Sequence, residues 1–184
     1  MNFAPLESAR FGLNVFRATL PEFDEKEIFS GIVANNVDVA ILRTPANISQ
    51  DLRHLRGFGL DPIHADTLVY YSVELGCWDP KPLRNPDLVF ALAEPCDVQT
   101  LDDLVEKVFR HYRSHYHANP LFDPEKILAG YKEWALAHLR ADLSRKIWLV
   151  RRENTIIAFA CCRFDDITKT CEGVLYGVHP EHAG

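Results

Sequence analysis

The sequence has no apolar run of 18 residues and no basic, apolar, then small-residue leader after Met1. It therefore shows neither a membrane-spanning helix nor a signal peptide, and it reads as cytoplasmic. CxxC spacing is also missing. The five cysteines (Cys77, Cys96, Cys161, Cys162 and Cys171) are odd in number and irregularly placed. That argues against a disulfide framework and a zinc site, and reads as free, mostly buried thiols. There is no surplus of basic residues either. The net charge is −6 and the sequence pI about 5.7, which removes the electrostatic ground for a nucleic acid or an anionic membrane as main partner. No internal repeat or low-complexity segment stands out. What is present is an ordinary globular balance of 47% hydrophobic and 25% charged residues in 184, enough for one domain or two small ones with a small-molecule or protein ligand.

Periodicity divides the chain. "FGLNVFRATL" from Phe11 has strand character, "EKEIFSGIVANN" places Ile28, Ile32 and Val33 at helical spacing, and "VDVAILR" (37–43) is a short apolar strand. "NISQDLRHLRGFG" opens on an Asn/Ser cap and closes in Gly57 and Gly59, as a helix would, and "DTLVYYSVEL" (66–75) is the next strand. This alternation predicts a small α/β domain over 1–76. "GCWDPKPLRNPD" then packs three prolines and a glycine into twelve residues, so 77–87 reads as a linker.

The second domain, 88–184, starts with the strand "LVFALAEP". Thr100 is a candidate cap for a helix with an apolar stripe of Leu101, Leu104, Val105, Val108, Phe109 and Tyr112. Asp123-Pro124 starts a second helix whose buried face is Ile127, Leu128, Tyr131, Ala135, His138 and Leu139. "KIWLVRR", a turn at Glu153-Asn154, "TIIAFACCRF", a polar loop "DDITKT" and "CEGVLYGV" predict an antiparallel meander of three strands. Trp134 and Trp148 are expected in the core.

Several of these words, in this order, resemble the GNAT superfamily of acyl-CoA-dependent N-acetyltransferases. "VFALAEPCDVQTLDDLVEKVF" is similar to its opening strand and first helix, "IWLVRRENTIIAFACCRF" to its second and third strands, and "GVLYGVHPEHAG" to its fourth strand and the entry to its acyl-CoA loop. "ESARFGLNVFRATL", "LRHLRGFGL" and "SHYHANPLFDPEKILAGYKEW" resemble the two-domain members that acetylate nucleotide-linked amino sugars, of the TDP-fucosamine acetyltransferase type. The resemblance implies an α/β fold of α+β type, a GNAT-like mixed sheet preceded by the small domain. It further implies acetyl-CoA as co-substrate, no metal, and a primary amine as acceptor. In that fold the fourth strand parts from the fifth, and the pantetheine arm pairs with its free backbone; Tyr176, Gly177 and Val178 stand at the matching place. Ala183 and Gly184 match the first residues of the pyrophosphate loop, where the family usually has Arg or Gln at the position of Ala183.

By the same matching the sequence stops where that loop should begin, incomplete at its C-terminus, and the general acid is expected beyond Gly184. The resemblance thus allows two functions. One is an N-acetyltransferase of which this chain holds part of the catalytic domain. The alternative is a non-catalytic GNAT-like module that binds a ligand or partner, with a homodimer as a natural state because the last strand would expose an apolar edge.

Candidate site residues carry plainer readings beside the chemical ones. His117 and Asn119, in "HYHANPLF", are candidate substrate contacts by resemblance, against a structural loop. Glu172 heads the last strand where some GNATs keep a carboxylate to take the amine proton, against the plainer reading, which the residue favours, of a solvent-facing strand position. His111 and His115 have the i, i+4 spacing of helical metal ligands, but there is no HExxH glutamate and the helix should be ending there. Cys161 and Cys162 point to opposite faces of one strand, so one buried thiol is expected rather than a nucleophile. His179 reads as a turn residue, and the cations of "RKIWLVRR" as solvated edge charges.

Overall fold

The computed structural model describes residues 1–48, 51–82, 84–139 and 144–183. The chain divides into two compact units, one made of Met1–Val69 with Arg113–Lys126, the other of Tyr70–Tyr112 with Ile127–Gly184. Both contain a sheet, so the fold is mixed α+β.

The first unit is built on a three-stranded sheet in the order β1-β2-β3. β1 (Asn2–Phe3) pairs antiparallel with β2 (Val15–Thr19), and β2 pairs in parallel with β3 (Val39–Arg43). The strand expected from Phe11 starts later, because Pro5–Phe11 forms a helix, α1. Pro5 suits the first helical turn, and Gly12 at φ 71° supplies the left-handed residue that ends it, its N–H bonded to the Ser8 carbonyl. A second helix, α2 (Glu25–Ala34), crosses from β2 to β3 and is capped by Asp24, whose carboxylate accepts from the N–H groups of Lys26 and Glu27. Its expected apolar face is only partly formed: Ile28 is buried, Ile32 half-buried and Val33 exposed.

Two expectations in this region fail. The helix expected from Asn47 is instead 3-10 turns at Ala46–Ile48 and Asp51–Phe58, with Leu55 buried; Ser49 and Gln50 lie outside the described residues. The strand expected over 66–75 is absent, since 61–74 has no regular structure and only Leu75–Cys77 forms a 3-10 turn. Its alternating apolar residues satisfy a local preference, but a strand exists only where a second strand accepts its backbone hydrogen bonds, and the sheet stops at β3.

In the second unit the four-stranded sheet runs in chain order β4-β5-β6-β7 and is wholly antiparallel. Its strands are β4 (Leu88–Leu92), β5 (Arg145–Arg152), β6 (Thr155–Asp165) and β7 (Thr170–Val178). The predicted meander is therefore present, with the β5–β6 turn at Glu153, φ 54°, and Asn154. Helix α3 (Val98–Phe109) begins two residues before Thr100. The start is set by a 3-10 turn at Pro95–Asp97 with a Glu94/Asp97 capping box, not by the threonine. Leu101, Leu104, Val105 and Phe109 are buried against Ile147, Leu149, Phe159, Cys161 and Leu175 of the sheet, with Val108 at the margin. Each such aliphatic or aromatic side chain contributes about 1.5–3 kcal/mol. Tyr112 lies beyond the helix and is exposed.

Helix α4 (Pro124–Leu136) starts at the expected Asp123-Pro124, where the Asp123 carboxylate accepts from Glu125 N–H. The core takes in Leu128 and Ala135, and the Tyr131 ring stacks on Phe109 with centroids 4.4 Å apart. Both tryptophans expected inside are on the outside. Trp134, 45% exposed, lies off the buried stripe of α4, and Trp148, 39% exposed, sits on the sheet face away from α3. Register makes that face explicit. Leu92, Trp148, Ala160 and Tyr176 form one cross-strand row, and Phe90, Val150, Ala158 and Val178 the next. Among the described residues, no helix is long and apolar enough to cross a membrane.

Candidate functional site

β7 is an edge strand: it pairs with β6, and no other described strand meets its second side. Which of its backbone groups face that open side follows from one bond. The N–H of His179 donates to the Ile157 carbonyl at 2.7 Å, and Val178 lies opposite Ala158. Val178 and Ala158 are thus a non-hydrogen-bonded pair, and the pattern alternates, so Gly177 turns its groups inward to Phe159 while Tyr176 turns outward again. Tyr176 and Val178 each present an N–H and a C=O along the open edge. This is the pair of hydrogen-bond positions that an extended amide chain needs to dock as an added strand.

Gly177 between them is fixed by packing. A Cβ at this position would stand 2.4 Å from Cγ1 of Val108 on α3. The helix thus lies directly against the strand at the residue between the two outward-facing positions. Tyr176 and Val178 project their side chains to the opposite face, 72% and 45% exposed.

Beyond Val178 the chain turns. His179 caps a 3-10 turn at Pro180–His182 by accepting from Glu181 N–H through Nδ1 at 3.2 Å, as a turn residue should. Ala183 is exposed, and its N–H faces the Pro180 carbonyl at 3.4 Å. Gly184 lies outside the described residues. Glu172 faces solvent on its strand: its carboxylate is about half exposed and pairs with Arg163 at 2.5 Å. Cys161 is fully buried, and burial pushes its thiol up to about 12, so it is inert as a nucleophile at neutral pH.

His117 and Asn119 are engaged in their own loop. The His117 ring nitrogen Nδ1 meets Ser114 N–H at 3.1 Å, and Asn119 Oδ1 accepts from Leu121 N–H at 3.0 Å. Both contacts set the shape of the 3-10 turn His115–Ala118 and its exit. His111 and His115 share no helix, since α3 ends at Phe109. Among the described residues no group of His, Cys, Asp or Glu could hold a metal ion.

The same loop contributes to a polar cluster that sequence reasoning missed. Arg17 on β2 donates to the Glu7 carboxylate at 2.6 Å and to the Tyr116 hydroxyl, and Tyr116 donates to Glu7 at 3.2 Å. The His115 ring lies tilted against Tyr116 with centroids 4.2 Å apart, and its Nδ1 lies 3.5 Å from Asp66. Burial holds the His115 pKa below the ordinary histidine value, against the opposing pull of Asp66. Only the arginine inside the apolar strand "VFRAT" could have signalled this cluster, because its other members are 10 to about a hundred residues away in sequence.

No protein-family model matches the sequence, and no curated protein matches it significantly. Among solved structures, a ribosomal-protein-alanine N-acetyltransferase from Brucella melitensis biovar Abortus 2308 aligns with 53% of this chain at 13% identity and a TM-score of 0.34. The chain spans 60% of that protein's length. A superposition this loose decides neither fold nor activity.

Proposed function

We propose that the protein works as a GNAT-type N-acetyltransferase, holding acetyl-CoA along β7 and passing the acetyl group to a primary amine, with a nucleotide-linked amino sugar as acceptor. The observation that carries the reading is the open edge of β7, where Tyr176 and Val178 present N–H and C=O groups and Gly177 locks the strand to α3. Such an edge fits the two amides of a pantetheine arm, which alternate donor and acceptor along an extended chain. Acetyl-CoA supplies an activated thioester. A neutral amine attacks its carbonyl carbon, the C–N bond forms as the C–S bond breaks, CoA leaves as its thiolate and takes a proton from an acid or from water, and the amine proton leaves to a base or to water. The part assigned to this chain is positioning: backbone N–H groups near Val178 fix the arm and face the thioester oxygen, where negative charge develops.

Val178→Pro tests this directly. The change removes an outward N–H that the β6–β7 ladder does not use, and proline is tolerated on an edge strand. Calorimetric titration with acetyl-CoA is expected to show binding to the wild-type protein and about tenfold weaker binding to the variant, the equivalent of one lost hydrogen bond of roughly 1.4 kcal/mol. Absence of wild-type binding at millimolar acetyl-CoA, or equal binding by both, would overturn the assignment of β7. The acceptor is tested separately by following CoA release with nucleoside-diphosphate amino sugars against simple alkyl amines.

A further inference from the structure

We propose that β4 is a dimer edge: two copies of this chain join their four-stranded sheets antiparallel through Leu88–Leu92, giving one continuous sheet about a two-fold axis at Phe90. β4 closes its sheet on the side opposite β7. It pairs with β5, and among the described residues no strand meets its second side. One bond again tells which groups face out. Ala93 donates its N–H to the Ile147 carbonyl at 2.9 Å, and Leu92 lies opposite Trp148. Ala93 therefore turns its groups inward and Leu92 outward, and the alternation leaves Phe90 and Leu88 outward as well. Among the described residues no hydrogen bond occupies the N–H or C=O of Phe90 or Leu92 at that edge. Leu88 keeps only its C=O open, because its N–H faces the Asn85 carbonyl at 3.3 Å.

Sheet edges that stay in water are blunted by charge, proline, bulges or shortness. The other three edges of this molecule carry such features. β1 is only Asn2–Phe3, β3 ends on Arg43, and β7 includes Glu172, Gly173 and Gly177 beside the bulge at Cys161/Cys162. β4 reads Leu-Val-Phe-Ala-Leu, with no charge, glycine, proline or register shift. Val89, Phe90 and Leu92 are nonetheless 57%, 48% and 45% exposed. A strand of this composition left in water is a template for another strand.

The segment is complementary to itself, which selects a second copy over an unrelated peptide. About the axis, Phe90 pairs with the partner's Phe90, Leu88 with the partner's Leu92, and Val89 with the partner's Ala91, so every cross-strand pair is apolar on both faces. The outward positions fall opposite one another in this register. Phe90 exchanges both backbone bonds across the axis, and Leu92 donates its N–H to the C=O of the partner's Leu88, the group that Asn85 leaves open. The Leu92 C=O stays with water at the end of the ladder. Both β7 edges remain at the far ends of the joined sheet. The proposal therefore does not depend on acyl transfer, and either can fail without the other.

The test uses the whole chain. Sedimentation velocity is expected to show a species of twice 21.0 kDa that dissociates on dilution. Residue-level amide exchange over the same dilution should show Phe90 and Leu92 slowing as the dimer forms, while Tyr176 and Val178 stay fast. Phe90→Lys sets like charges against each other at the axis, and Leu92→Pro removes an outward N–H that the β4–β5 ladder does not use. Each should return the mass to 21.0 kDa at concentrations where the wild-type chain is dimeric. A wild-type chain that stays monomeric up to millimolar concentration, a dimer that survives both substitutions, or assemblies that keep growing with concentration would each overturn the proposal. Slowing at Tyr176 and Val178 instead would place the join at β7 and overturn it too. So would slow exchange at Phe90 and Leu92 at every concentration, because the chain would then be covering its own edge. If Phe90→Lys fails to fold, the dilution-dependent exchange of the wild-type protein decides alone.

Discussion

Gly177 shows how one missing side chain can position a strand. With a Cβ only 2.4 Å from Val108, Gly177→Ala must push α3 from the sheet or force Val108 into another rotamer. Overpacking of this kind costs about 1–3 kcal/mol. Urea unfolding should show that loss, and Val108→Ala in the same chain should recover part of it, because it removes the colliding methyl groups. A charged residue makes a different contribution. Glu106 on α3 receives Lys132 from α4 at 2.8 Å and Arg110 at 2.5 Å, while Lys132 also reaches Asp102 at 2.8 Å. The hydrogen bond from Lys132, then that from Arg110, holds the Glu106 pKa down from 4.5 to about 2. A carboxylate depressed on folding stabilises the folded state above its unfolded pKa and loses that contribution as pH falls through the folded one. Melting temperature followed from pH 5 downward should therefore decline more steeply in the wild-type protein than in Glu106→Gln between about 4.5 and 2. Equal slopes would mean that solvent screening leaves the cluster without a stabilising role.

Elements differ in how much of their stability is local. α2 buries only Ile28 along its length, so it depends on its cap more than α3 does. Asp24→Ala removes the acceptor for two N–H groups and should cost about 1 kcal/mol, seen as faster amide exchange over residues 25–28 ahead of any change in α3. α3, α4 and the three-strand meander were legible in the sequence because their apolar period coincides with the face they bury. α1 was not, since seven residues give too little periodicity, and its signals are a single Pro5 and Gly12. The segment 66–75 misled for the opposite reason, because it alternates like a strand yet has no partner strand.

For the molecule as a whole, the two units are not consecutive stretches of chain. Residues 113–126 interrupt the second unit and belong to the first, where Phe122 is buried with its ring 4.3 Å from that of Phe11. A fragment beginning at residue 88 keeps the four-stranded sheet but leaves Tyr116 and Phe122 without Phe11, Glu7 and Arg17. Limited proteolysis should cut that fragment within 113–123 under conditions in which the full chain resists there. Resistance equal to that of the full chain would show that the loop holds its shape without the N-terminal residues.

The sequence by itself determined the elements whose information is local: the helix start at Asp123-Pro124, the apolar stripe of α3, the turn at Glu153-Asn154 and the alternation of the last three strands. It also placed Tyr176, Gly177 and Val178 on the last strand. Only the tertiary structure decided that no other described strand meets the second side of this strand, that its outward groups belong to Tyr176 and Val178, and that both tryptophans lie outside the core. It alone joined Glu7, Arg17 and Tyr116. The physical reason is common to all of these. Periodicity records which face of an element is apolar, whereas a partner strand, an ion pair or a side-chain hydrogen bond depends on register and packing between residues that the sequence keeps apart.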